Sequence, residues 1–253
     1  MTFLLNRPIV FFLVTFALLW IAGLFGAYLR KFRSEPQKVD EGNFNLILGA
    51  TLTLLGLIIG FSFSMAVSRY DQRKNYEEEE ANAIGTEYVR VDILPTADAA
   101  KVRVLLRDYL DQRIIYYTSR DVELLRQTRA KTSQLQSNLW SAVIGPVNAQ
   151  PSLISMLVLS GMNDVLNSEG YTEAAWRNRV PVAAWVLMIS IAAFCNLLLG
   201  HHSHGKASTL LLVLPFALSI SFFLIAEIDS PRSGTIRIHA RNLEGLAESL
   251  RPH

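Results

Sequence analysis

The chain has 253 residues and one cysteine, Cys195, inside an apolar run. No intrachain disulfide can form, and the Cys/His spacing of a zinc site is absent. Cys195 therefore reads as a small packing residue. Charge is also scarce: 18% of residues are charged, against about 25% in an ordinary soluble domain. The deficit falls in blocks, which separates a membrane protein from a merely apolar soluble one. A net charge of +2 is too small to suggest nucleic-acid binding. Nucleophile elbow, phosphate loop, HExxH and dinucleotide-binding glycine patterns are missing. An enzyme is not expected, and no cofactor or resident metal is implied. The chain also shows no internal repeat and no low-complexity linker.

What the chain does have is apolar sequence, 51% of all residues, with a mean hydropathy of +0.26. The stretch 46–95 organises the rest. Residues 46–67 are almost unbroken apolar sequence, and residues 68–95 are densely charged, with no proline before Pro95. About 20 residues at 1.5 Å rise cross a hydrocarbon core of about 30 Å. The pattern predicts one long helix, or two nearly collinear ones, that leaves a bilayer and continues into water. Arg69, Tyr70, Asp71, Arg73 and Lys74 mark its exit as a cation-rich aromatic interface.

Three more spans are predicted: 8–29, 180–199 and 207–228, the last with an internal Pro215. For the first, a cleaved signal peptide is the competing reading. Its apolar core is longer than a typical signal core, and no small-x-small cleavage site follows. The expected division is an N-terminal membrane hairpin (1–68), a helical cytoplasmic domain (69–179), a C-terminal membrane hairpin (180–228) and a cytoplasmic tail (229–253). Within 69–179 the spacing is helical. Ala81, Ile84, Tyr88 and Val91 recur at three- and four-residue intervals, as do Val102, Leu106, Tyr109, Arg113 and Tyr117. Helices are predicted over 99–128 and 131–144, the second broken at Gly145-Pro146. Residues 151–167 are too short an apolar core to span; a helix buried in the bundle is expected there, with a re-entrant segment as the alternative. Leu243, Leu246 and Leu250 predict a last amphipathic helix.

Membrane-flanking cations set the orientation. One side holds Arg7, Arg69, Arg73, Lys74, Arg177, Arg179, Arg232, Arg237 and Arg241. The other holds Arg30, Lys31, Arg33, Lys38 and Lys206. The asymmetry places the insert and both termini in the cytoplasm, with the protein in the inner membrane.

The run GFSFSMAVSRYDQRKNYEEEEANAIGTEYVRVDILP, residues 60–95, resembles the signature of a bacterial membrane-protein family of unknown function with a bestrophin-like domain. Bestrophins have a Gly-Phe pair in a membrane helix, a Tyr-Asp element and an Arg-Lys pair. The matching pieces here are Gly60-Phe61, Tyr70-Asp71 and Arg73-Lys74. The resemblance implies an all-α fold with four membrane helices, a pentamer around a central pore, and passive conduction of inorganic anions such as chloride. It also implies that the second span lines the pore and supplies an apolar neck.

Read by themselves, Leu54, Leu57, Phe61 and Met65 recur on one helical face and are the pore-lining candidates. A ring of such side chains can gate by dewetting. Thr51, Thr53, Ser62 and Ser64, with Gly56 and Gly60 four apart, equally fit close helix packing. Arg69, Tyr70, Asp71, Arg73, Glu80 and Asn82 form the expected exit and charge network. Glu77 to Glu80 span every side of a helix, so at least one must be buried and partnered. Pairs with Arg73 and Lys74 four residues back are expected. Asn82, Glu87 and Arg90 share the same demand for partners. Glu227 and Asp229 in EIDSPRSG are a possible cation site, because bestrophins carry an acidic element and Asp-Pro-Phe-Gly after their last span. Two carboxylates supply few of the oxygens calcium takes. His201, His202 and His204 cluster in a loop without a further acid or thiol. The rival to a channel is a non-conducting scaffold or sensor whose cytoplasmic helices bind a protein partner.

Overall fold

The computed structural model describes residues 5, 7–31, 41–202 and 210–251. Every regular element among them is helical. The elements are α1 (Pro8–Lys31), α2 (Glu41–Arg90), a 3-10 turn (Val91–Ile93), α3 (Thr96–Thr118), α4 (Val122–Ala149), α5 (Ser155–Arg177), α6 (Val182–His202), α7 (Leu210–Asp229) and α8 (Arg241–Ser249). Segments in α1, α2, α6 and α7 are long and apolar enough to cross a membrane. The chain forms two compact units. One holds the described residues up to Tyr70 together with Arg179–Arg237. The other holds Asp71–Asn178 and the described residues from Ile238 onward.

α2 is one helix of 50 residues with no proline in it. Its end is set by Pro95, which excludes the preceding residue from helical geometry. Leu94 accordingly takes φ −78° and ψ 160°.

In the first unit α1 packs along α6 and α7. Phe11 meets Trp185 edge-on at 5.1 Å, and Trp185 meets Phe222 at 6.5 Å. Glycine sets how closely α1 and α6 approach. A Cβ on Gly26 would sit 2.0 Å from the Leu197 carbonyl oxygen, and one on Gly200 would sit 1.8 Å from that of Gly23. This is small-residue packing of the kind membrane helices use. The Gly56–Gly60 pair singled out from the sequence makes no such contact, since a Cβ at either position meets nothing within 4 Å.

In the second unit the helix boundaries differ from those the sequence suggested. The helix expected over 99–128 ends at Thr118, and a new one begins at Val122. Asp121 forces the break: its carboxylate accepts from the backbone N–H groups of Glu123 (2.8 Å) and Leu124 (3.2 Å), a helix N-cap. The break expected at Gly145-Pro146 does not occur. Pro146 lies within the last turn of α4, where one lost backbone bond is tolerated, and Gln150 N–H still reaches the Pro146 carbonyl at 3.1 Å.

Residues 151–167 also form a different element from the one expected. The helix starts at Ser155 and runs to Arg177. Ser152 and Ser155 open it reciprocally, each hydroxyl accepting from the other's backbone N–H at 2.9 Å. Val158, Met162 and Val165 are buried, but Leu153, Ile154, Met156 and Leu157 are exposed, so the segment is amphipathic rather than buried on all sides.

Candidate functional site

The membrane half of α2 has three faces, because each residue advances about 100° around a helix. Leu55, Ser62 and Ala66 form the face buried against the chain's own core, with Ile58 and Ile59 partly buried beside them. Leu54, Leu57, Phe61 and Met65 form a bulky apolar face about 120° away. All four are exposed, Phe61 at 65%. Gly49, Gly56 and Gly60 form the third face, with nothing within 4 Å of a Cβ at any of them. Only 11% of the apolar window in α2 is buried by the chain itself, against 28% in α1 and 44% in α7. The second span contributes least to the intrachain core although it is fully apolar. Its two threonine hydroxyls are satisfied within the helix: Thr51 and Thr53 donate to the carbonyls of Ile47 (2.7 Å) and Gly49 (2.9 Å).

The charged half of α2 buries a stripe spaced four and three apart: Arg73, Glu77, Glu80, Ile84, Glu87 and Val91. Three carboxylates therefore lie on the inward side, where apolar residues would be expected. Arg73 donates to the carbonyls of Ala175 (3.1 Å) and Asn178 (2.8 Å), closing the C-terminal end of α5. The Glu77 carboxylate accepts from the backbone N–H groups of Asn242 (2.9 Å) and Leu243 (3.1 Å) and from the Asn242 side chain (2.6 Å). Glu77 thus caps the start of α8 rather than serving the i,i+4 surface pair suggested by the sequence. Burial raises its pKa, and the donors from α8 pull it back down.

Glu80 is fully buried and forms a salt bridge with Arg113 on α3. Its other oxygen accepts from Tyr117 and Thr172, both at 3.1 Å. The Arg113 guanidinium lies 4.5 Å from the Tyr116 ring centre and 3.7 Å from Glu169. Burial opposes its charge, but Glu80 more than offsets this and raises its pKa. Burial raises the pKa of Tyr109 and Tyr117, and Glu80 raises both further. Glu78 and Glu79 are exposed. Asn82 is exposed as well, contrary to the demand for a buried partner. It lines a groove of about 880 Å³ with Gly85, Val89, Leu246 and Leu250.

At the membrane exit, Arg69 Nη1 stands 3.7 Å from Asp229, and the Tyr70 hydroxyl reaches the Arg237 carbonyl at 3.5 Å. Asp71 is exposed. Both Asp229 oxygens accept from the Val180 N–H at 3.1 Å. Glu227 accepts from the N–H (2.7 Å) and hydroxyl (3.3 Å) of Thr235, beneath Gly234. A Cβ on Gly234 would stand 2.1 Å from the Glu227 carboxylate. Both carboxylates are thus engaged by protein donors. His202 stacks on Phe44 at 4.0 Å. His204, together with Arg33, Lys38 and Lys206 of the charge comparison, lies outside the described residues. Among the described residues, no three His, Cys, Asp or Glu side chains converge as metal ligands.

The Glu80–Arg113 pairing across 33 positions escaped the sequence reading. Its one signal was Arg113 standing in an otherwise apolar helical period. Glu87 was marked in the sequence as needing a partner, but Gly161 gave no signal.

Three comparisons bear on this architecture. The sequence model of a family described as "Bestrophin-like domain" matches residues 12–243. A comparison with curated proteins finds no match. Among solved structures, a bacterial bestrophin homologue from Klebsiella pneumoniae superposes with a TM-score of 0.65 at 16% identity, covering 97% of this chain and 100% of that one. A tryptophan-to-alanine variant of the Klebsiella homologue gives 0.65 at 15% identity over 94% of this chain and 97% of that one. A tyrosine-to-alanine variant gives 0.64 at 15% over 93% and 98%. The chain belongs to the Bestrophin-like family and has its all-α membrane fold.

Proposed function

We propose that this member of the Bestrophin-like family is an oligomeric inner-membrane channel that passes inorganic anions such as chloride, with α2 lining the pore. The observation that carries the reading is the three-faced second span, in which two of three faces are exposed among the described residues. A helix in a ring of copies needs one side for its own bundle, one for the neighbouring copy and one for the axis. Leu55, Ser62 and Ala66 suit the first role. The bare Gly49, Gly56 and Gly60 backbone suits the second, since small residues let helices approach closely. Leu54, Leu57, Phe61 and Met65 suit the third, as an apolar constriction that excludes water until it opens. The resemblance to bestrophins supports a pentamer and the choice of anions.

Phe61→Ala separates the roles. On the axis, the truncation widens the constriction, and chloride flux into liposomes rises while the thermal melt stays put. Packed against a neighbour, the same change leaves a cavity costing roughly 3–5 kcal/mol, with no gain in flux. Leu57→Ala and Met65→Ala are run beside it. Intact oligomers silent to anions and cations in wild type and all three variants would leave the scaffold reading.

A further inference from the structure

Glu87 is the one carboxylate of the buried α2 stripe that no donor satisfies. Its side chain is fully buried, and neither oxygen has a hydrogen-bond partner among the described residues. Arg90 Nη1, one turn on, stands 3.6 Å from Glu87 Oε2. The same nitrogen donates to the Leu157 carbonyl at 3.3 Å, in the first turn of α5. The pair lies directly on the backbone of α5. A Cβ on Gly161 would fall 2.0 Å from both Arg90 Nη1 and Glu87 Oε2. The charged groups facing Glu87 are Arg90 on its own helix and Asp164 on α5. From α3, Arg103 is engaged by Asp92 and the Tyr88 carbonyl.

One guanidinium thus stands between two acceptors. A charged acceptor holds a guanidinium about twice as strongly as a neutral carbonyl does, and burial enlarges the difference. Which acceptor wins depends on the charge of Glu87. We propose that Glu87 and Arg90 form a proton-operated latch on α5. With Glu87 protonated, Arg90 holds the Leu157 carbonyl. When Glu87 releases its proton to solvent, the carboxylate draws Arg90 to itself and frees the first turns of α5. Burial, with the negative charge of Asp164 adding to it against the pull of Arg90, pushes the Glu87 pKa up to about 8. The latch is therefore closed at neutral pH and opens under mildly alkaline conditions. The elements it frees carry Leu153, Ile154, Met156 and Leu157, the exposed apolar residues of that end. The inference does not depend on conduction.

The test is hydrogen exchange of the full-length protein in lipid nanodiscs, corrected for the intrinsic rate, from about pH 6.5 to about pH 9. Peptides covering residues 155–161 are expected to lose protection about tenfold across that range in wild type, the size of one charge-assisted hydrogen bond. In Glu87→Gln the loss disappears, because the amide carries no charge at any pH. In Asp164→Asn the loss moves to lower pH, because burial still holds the proton on Glu87 but the added repulsion from Asp164 is gone. Asp164 is exposed, so this variant leaves the packing intact even if Glu87→Gln fails to fold. A flat wild-type profile overturns the latch. So does a pH step that persists in Glu87→Gln, or a midpoint that Asp164→Asn leaves in place.

Discussion

Arg113 and Glu80 are each almost wholly buried, and neither has another full charge to neutralise it so closely. Removing Arg113 leaves Glu80 as an uncompensated buried charge, whereas Arg113 without Glu80 still has Glu169 at 3.7 Å. Arg113→Met should therefore destabilise the protein by roughly 3–5 kcal/mol. Replacing both, as Glu80→Leu with Arg113→Met, should cost less than the sum of the single changes. The Tyr117 and Thr172 hydroxyls lose their acceptor in the double variant, so the pair does not become neutral. A double-mutant cycle read by chemical denaturation checks this. Glu87 gives the opposite linkage to an ordinary paired carboxylate. Its folded pKa of about 8 lies above the unfolded value, so the folded state binds more protons between about pH 4.5 and about pH 8. Stability contributed by the protonated form is present at acid pH and is lost as pH rises, at up to about 1.4 kcal/mol per pH unit within that window. Glu87→Gln should flatten the stability profile between about pH 4.5 and about pH 8, measured from melts at successive pH values.

At the scale of elements, glycine is used in two opposite ways. Gly26 and Gly200 are where α1 and α6 touch backbone to backbone. Gly26→Val should push the helices apart and cost about 1–3 kcal/mol through overpacking, seen as a lower melting temperature in detergent. A Cβ at Gly56 or Gly60 meets nothing within 4 Å among the described residues. Gly60→Val should leave the stability of an isolated monomer unchanged and disturb only assembly, read as a shift in native mass. α2 itself changes function along its length without changing structure. Its membrane half leaves apolar faces outward, and its charged half turns carboxylates inward. Both follow from one periodicity, because residues spaced three and four apart share a face whatever their chemistry.

For the molecule as a whole, the order of the spans constrains topology. We propose that all four candidate spans cross, which would return the chain to the side on which it began and set α3, α4, α5 and α8 on that side. On this proposal the cation asymmetry assigns that side to the cytoplasm. A reporter active only in the periplasm should be silent when fused after Gln127 and active when fused at Ser203. Reversal of both signals would redraw the orientation.

The four candidate spans, the all-α class and the straight helical course of residues 46–90 were legible in the sequence, while its continuity as one helix was left open against two nearly collinear ones. Their signal is local: apolar length against bilayer thickness, and the absence of proline before Pro95. The resemblance in residues 60–95 carried the family. Helix ends were less legible, because Asp121 acts as a cap only through its side-chain geometry, and Pro146 is harmless only because α4 ends one turn later. Tertiary structure alone decided the chemistry of the charged half. Glu77, Glu78, Glu79 and Glu80 are identical in sequence terms, yet the first caps α8, the last meets Arg113 and the middle two face water. The partner of a buried charge is set by which helix crosses at that level, and a crossing 33 or 165 residues away leaves no mark on local periodicity.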